Sequence, residues 1–324
     1  MSEAKPTAEP ALTVREVNWR QGVPIAIMVA AFAVAPLFVY PVFLMKALCF
    51  GLFACAFNLL IGYVGLLSFG HAMFFGCAAY AAAHTAKVYG FPPELAILTG
   101  TAVAAILGAI VGALAIRRQG IYFAMITWAL AQMVYFFCLR APFTGGEDGI
   151  QAVPRGKLFF FLDLNDTTTL YYCVLGIFVA GFLLIRRIVH SPFGQVLKAI
   201  RENEPRATSL GYKPNQYKLI AFILSAALSG LAGGTKAIVF QLASLTDVHW
   251  NTSGEVILMT LLGGLGTIIG PVVGALMVTT LEQYLAATLG AWVQVVEGAI
   301  FVICVLTFRR GVIGELSRLL KRPL

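Results

Sequence analysis

The chain has 324 residues, 59% of them hydrophobic and 12% charged, with a mean hydropathy of +0.85. Soluble domains carry about 25% charged residues, so a water-soluble globule is excluded and the composition describes a polytopic membrane protein without a sizeable soluble domain. The net charge of +8 resides in loops between apolar runs, a pattern of membrane topology and not of nucleic-acid binding.

Residues 1–22 are polar and of mixed charge, with Pro6 and Pro10. No apolar core follows a cationic start there, so the stretch reads as a cytoplasmic tail and not as a cleaved signal peptide. Apolar spans of bilayer length follow at 24–44, 47–62, 70–88, 95–116, 120–139, 170–189, 219–243 and 290–307. They predict an all-α chain with about eight full transmembrane helices inside a membrane domain over 23–308. Counting sides from a cytoplasmic start puts Arg117, Arg118 and the 186–218 stretch inside, and the 140–169 loop on the periplasmic side. The 309–324 tail, with Arg309, Arg310, Arg318, Lys321 and Arg322, returns to the cytoplasm. Residues 255–285 must then start and finish on the outer side. They read as a glycine-broken hairpin or a pair of half-helices, interrupted at Gly263, Gly264, Gly266, Gly270 and Pro271.

A second interrupted segment runs through Gly62, Gly65, Ser68, Gly70 and His71. Glycine breaks in both halves of a membrane chain point to a translocation pathway, because non-helical backbone at membrane depth persists only where protein buries it or water reaches it. Glycines that simply let helices pack closely are the other reading. For His71 the two readings are a pathway-lining side chain and an interhelical or capping hydrogen bond.

The longest strongly charged stretch is 191–218. Phe193, Val196, Leu197 and Ile200 recur at helical spacing, with Gln195, Lys198, Arg201 and Glu202 mostly on the other side. Such a helix needs something for its apolar face to rest on: the bilayer surface or a soluble partner.

The chain has no G-x-x-x-x-G-K-[ST] loop for nucleotide phosphates, and an ATP-driven transporter built on it must take its ATPase from another chain. Its four histidines and six cysteines lack metal-ligand spacing. No metal site and no catalytic residue are expected. Lys236 and Glu297 fall at similar depth in their spans and are a candidate intramembrane pair. The 144–149 stretch TGGEDG reads as an external turn, either simply solvated or an acidic docking point for a binding protein.

Several of these stretches carry a resemblance. GQVLKAIRENEPRATSLGYKPNQYKLIAF is similar to the cytoplasmic coupling loop of the LivM group, the permeases of branched-chain amino-acid ABC transporters, with Glu204, Ala207 and Gly211 on its E-x-x-A-x-x-x-G pattern. GYVGLLSFGHAMFFGCAAY, GIYFAMITWALAQMVYF, TGGEDGIQAVPR and SGEVILMTLLGGLGTIIGPVVGAL resemble that group in order and spacing. FRRGVIGEL resembles its closing P-R-G-x-x-G signature, with Phe308 where proline is usual. The likeness covers roughly residues 40–315.

The resemblance implies an ABC importer permease fold in a bacterial inner membrane. Phe193, Gly194, Lys198, Arg201, Glu202, Glu204, Ala207 and Gly211 would be seated on an ATPase. The implied partners are a LivH-like permease subunit, two ABC ATPase subunits (LivG/LivF-like) holding ATP and Mg, and a periplasmic substrate-binding protein. No cofactor is expected on this chain. Substrates would be leucine, isoleucine, valine or related amino acids. Urea permeases share much of the pattern, and an ion-coupled secondary transporter and a passive channel are the rival classes.

Overall fold

Proline sets where many of the helices begin, since a residue without an N–H loses nothing in a first helical turn. The computed structural model describes residues 19–118, 120–158 and 162–289, with a few isolated positions between 292 and 314. Its helices are α1 (Trp19–Val34), α2 (Pro41–Tyr63), α3 (His71–Val88), α4 (Pro93–Ala115), α5 (Ile121–Arg140) and α6 (Thr167–His190). They continue with α7 (Pro192–Glu202), α8 (Glu204–Ser209), α9 (Pro214–Phe240), α10 (Trp250–Gly263) and α11 (Gly270–Leu289). Pro41, Pro93, Pro192 and Pro214 each open one. Among the described residues, α2, α4, α5, α6 and α9 are long and apolar enough to cross a membrane. The expected span over 290–307 and the tail over 309–324 lie almost wholly outside the described residues.

The first two spans divide at a different place from the one their sequence predicts. Reading 24–44 and 47–62 as separate runs puts the boundary at Lys46. Instead α1 ends at Val34, a short 3-10 turn covers Ala35–Leu37, and α2 runs unbroken from Pro41. Lys46 stays inside α2 because its ammonium group meets Glu282 of α11 at 2.9 Å. An ion pair removes the reason for a charge to mark a helix end.

The interior is built around α2 and α9. In α2, 89% of the apolar window is enclosed, against 28% in α5, so α2 is a core helix and α5 lies at the rim. Helices in a membrane associate through close packing of small residues, and α9 is surfaced accordingly. A Cβ on Gly108 of α4 would strike Ala226, and one on Gly230 would strike Ala104. A Cβ on Gly233 would run into the Phe75 carbonyl of α3. These contacts set α4 antiparallel to α9 and α3 parallel to it. α2 runs antiparallel to α11, from Lys46–Glu282 at one end to Gly62 and Gly266 at the other.

Short strands and turns close the end remote from α7. β1 (Ile150–Gln151) pairs antiparallel with β4 (Leu242–Ala243), and β2 (Lys157–Leu158) with β3 (Leu162–Asp163). Arg155 donates to the Val239 carbonyl at 2.8 Å, and Lys87 to that of Gln151 at 2.8 Å. Asp166 caps α6 by accepting from the Thr169 hydroxyl at 2.7 Å and its N–H at 3.0 Å. The hydroxyl bond, then the backbone one, hold its carboxyl below the ordinary value.

The small-residue packing predicts an asymmetry between glycines. Gly233→Val should destabilise the purified protein by about 1–3 kcal/mol through overpacking. Gly176→Ala, whose Cβ meets nothing within 4 Å, should stay within about 0.5 kcal/mol. Thermal unfolding in detergent checks both.

Candidate functional site: where the two glycine breaks meet

α2 winds down as the N–H groups of Val64, Gly65 and Leu66 converge on the Leu60 carbonyl at 3.1, 3.0 and 3.4 Å. The chain then runs without helix to His71. Its freed polar groups need partners inside protein, and neighbouring side chains supply them. Phe69 N–H donates to the Thr127 hydroxyl of α5 at 3.3 Å, and Gly70 N–H to Ser68 Oγ at 3.3 Å. Ala72 N–H, in the first turn of α3, donates to Ser253 Oγ of α10 at 2.9 Å.

The second break lies between α10 and α11, as the glycine pattern predicts. The chain turns through Gly266 at φ +74°, a left-handed conformation that costs a side-chain-bearing residue roughly 1–2 kcal/mol. Gly263 and Gly270 let the two helix ends touch backbone to backbone. Gly264 N–H returns to Thr260 O at 3.0 Å, and Thr267 Oγ1 closes the turn on Gly264 O at 2.8 Å. Pro271 is buried in the first turn of α11.

These two breaks are in direct contact. Asn58 of α2 accepts from Gly266 N–H at 3.0 Å and donates to Thr267 O at 2.8 Å. A Cβ on Gly62 would fall 2.8 Å from Gly266 N. Into this junction reaches Arg201 from α7, donating through Nη1 to the Gly62 carbonyl. Its stem covers the next glycine, since a Cβ on Gly65 would lie 3.2 Å from Arg201 Cγ. Gly62, Gly65, Gly264 and Gly266 thus share one site with Arg201, and Asn58 is its centre.

The rest of the 191–218 stretch positions that arginine. Ser191 caps α7 by accepting from Gly194 N–H at 3.3 Å. Gly194, Leu197 and Ile200 are buried, and Phe193 stacks on Tyr217 at 5.6 Å. Lys198 Nζ lies 5.7 Å from the Tyr63 ring centroid. The apolar face of α7 rests on the chain's own bundle, which corrects the expectation of a bilayer surface or a soluble partner beneath it: Leu197 and Ile200 are buried within the chain itself. Its outer face and α8 expose Gln195, Ala199, Glu202, Arg206 and Leu210. Asn203 caps α8, Ala207 is buried, and Glu204 holds Lys218 at 2.8 Å. Gly211 turns the chain toward α9.

Three sequence-predicted residues lie deeper. Ser68 and His71 are fully enclosed, and Gly70 abuts the Thr127 carbonyl. His71 Nε2 bonds Ser225 Oγ at 2.9 Å, and that hydroxyl donates to Ala56 O at 2.6 Å. Since the hydroxyl proton is committed to Ala56, Nε2 is the donating nitrogen. Phe57, Phe74 and Phe222 meet the imidazole ring edge-on. His71 thus ties three helices together.

Among the described residues, Lys236 pairs with Asp247. Its ammonium group meets both oxygens of Asp247, at 2.5 and 2.6 Å, while Glu297 lies outside the described residues. Asp247 was missed because it follows the end of an apolar run and reads as loop. Asn58 was missed because one amide in an apolar span gives no periodic signal.

Residues 40–305 match the family described as branched-chain amino acid transport system / permease component. The chain belongs to this family. It is similar to the high-affinity branched-chain amino acid transport system permease protein LivM of Escherichia coli K12, at 28% identity over 249 residues. That match covers 70% of this chain and 59% of the relative's length. The ribose import permease protein RbsC of Bacillus subtilis 168 is 30% identical over 140 residues, 41% of this chain and 44% of that one. A solved structure, PsaBC from Streptococcus pneumoniae in complex with Fab, aligns with a TM-score of 0.42 at 17% identity, covering 86% of this chain and 95% of that one. As a member of the permease family with several membrane-length helices, the protein is multi-pass.

The junction predicts the effect of removing its central amide. Asn58→Ala leaves the partly buried Gly266 N–H and Thr267 carbonyl without their side-chain partner, at a cost of about 1 kcal/mol. Amide exchange at Gly266 should accelerate in the variant while exchange in α9 stays slow.

Proposed function

We propose that this chain is the membrane-spanning permease subunit of an ATP-driven importer of branched-chain or related amino acids. It would work with a LivH-like permease subunit, two ABC ATPase subunits and a periplasmic substrate-binding protein. The observation that carries this reading is the reach of Arg201 from an exposed helix pair into the contact between both helix breaks. An ATPase that moved α7 and α8 would move the Gly62 carbonyl, and through Asn58 the turn of the α10–α11 hairpin. Alternating access would follow as α2 and the hairpin rock together.

Charge supports the orientation. Arg117, Arg118, Arg186, Arg187, Lys198, Arg206 and Lys213 belong to the α7 end, which the positive-inside rule makes cytoplasmic. The chain's own residues perform no chemistry in this reading, because ATP and Mg belong to the ATPases. Selectivity would reside mainly in the binding protein, in keeping with small and apolar residues at the breaks.

The test is gentle detergent purification from the native membrane. A Walker-motif ATPase and a second permease are expected to accompany the chain. Recovery of the chain alone in several mild detergents would overturn the importer. In vesicles, leucine uptake should require ATP and resist an uncoupler when ATP is held constant. Ribose serves as a competing substrate because the similar RbsC is named a ribose import permease, and urea because urea permeases share much of the sequence pattern.

The coupling stretch makes a second prediction. Gly211 sits at φ +90°, so Gly211→Val strains the turn, and Glu204→Gln weakens the hold on Lys218. Both should depress uptake with membrane levels unchanged. Normal uptake by both variants would contradict the role given to 191–218.

A further inference from the structure

The Lys236–Asp247 ion pair lies at the end of the bundle remote from α7, apart from the junction. Both side chains are nearly enclosed, at 13% and 6% exposure. Asp247 also accepts from Ser244 N–H at 3.3 Å and Ser244 Oγ at 3.2 Å, closing a tight turn. That turn, 244–249, joins α9 to α10 and fills the space between three helices. Val248 is wholly buried, and a Cβ on Gly76 of α3 would lie 2.7 Å from its nitrogen. His249 packs edge-on against Tyr135 of α5 at 5.1 Å. Lys236 supplies the tie to α9.

From this geometry we infer that the Lys236–Asp247 pair is a latch, holding the 244–249 turn as a plug across α3, α5 and α9 that lifts when this end of the permease opens. Three observations carry the inference. First, beside its buried packing at Val248 and its own short turn bonds, the turn is hydrogen-bonded to its neighbours, among the described residues, through the two-residue β1–β4 ladder on one side and Thr252 Oγ1 donating to Thr246 O at 2.7 Å on the other. Short segments with few hydrogen bonds to the elements around them are the ones that open locally. Second, well-packed apolar side chains hold buried elements together as firmly as a buried ion pair. What an ion pair adds is sensitivity to water, because its attraction falls as the dielectric rises. A plug held by charges loosens once water enters, and both charges are solvated when it lifts. Third, the Tyr80 hydroxyl of α3 is buried without a hydrogen-bond partner among the described residues. Water admitted past the lifted turn would satisfy it.

The latch rests on the importer reading for its purpose, and its test does not. Val248→Cys is introduced into the full chain in native membrane vesicles. The rate of labelling by a membrane-impermeant maleimide is read at position 248 by peptide mass spectrometry, with Asp247 intact or replaced. The sealed plug should label slowly, and Asp247→Asn should raise the rate by at least about tenfold. Lys236→Met breaks the same pair from α9 and should do likewise, so either variant decides the question if the other fails to accumulate. Cys55, buried in α2, is read in the same samples as a measure of global loosening. Labelling at position 248 unchanged by the substitution overturns the latch, and so does acceleration at Cys55 by the same factor. Neither ATP nor a transported substrate enters the assay, so loss of the importer reading would leave its outcome interpretable.

Discussion

The contact on which the arrangement depends is the one from the Arg201 guanidinium to the Gly62 carbonyl. A charged donor on a neutral carbonyl is worth at most about 1.5–3 kcal/mol. Arg201 is itself exposed, so solvent screening lowers that figure further and leaves the contact modest beside the packing of α2 and α9. Its importance is positional. Gly62 lies where α2 winds down and Gly266 where the hairpin turns, and Asn58 clasps both with two hydrogen bonds. A rigid α7, capped at Ser191 and seated through Leu197 and Ile200, delivers the guanidinium there. Glycine at both breaks is what lets the backbones approach closely enough for one arginine and one asparagine to serve the whole junction.

Much of this was legible in the sequence. Hydropathy and length mark the five membrane-length helices found among the described residues. The side count for Lys and Arg isolates 255–285 as a hairpin, and its glycines name the turn where α10 ends and α11 begins. The helix over Pro192–Glu202 follows from apolar spacing and its flanking prolines. What was hidden depends on which faces meet. Lys46 read as a boundary because its partner Glu282 is 236 residues away in sequence. Lys236 could be assigned a depth but not a direction, and the partner it has among the described residues lies eleven residues on, in a turn. The hydrogen bonds that Ser225, Ser253 and Thr127 make with distant parts of the chain leave no periodic trace, since hydroxyls in membrane helices also bond their own preceding turn.

The two ends of the bundle are fastened by different physics. At the α7 end, charge-assisted and amide hydrogen bonds hold backbone groups freed by the breaks. At the other end, an enclosed ion pair holds a turn against three helices. α10 spans the distance between them, its last residue in the Asn58 junction and its start beside the Asp247 turn. Ser253, near the start of α10, also caps the first turn of α3. A displacement of the hairpin would therefore be felt at both helix breaks and at the far turn.

The measurement that bears most directly on the proposed importer is the ratio of amino acid transported to ATP hydrolysed once the chain is reconstituted with the proposed ATPases, for Arg201 and for Arg201→Ala. The account predicts that the variant would still assemble with them and hydrolyse ATP at a rate near that of the parent. Transport per ATP should fall by about tenfold or more, within the range of coupling energies of 1–3 kcal/mol. An unchanged ratio would contradict it, showing that motion of α7 reaches the breaks without the arginine.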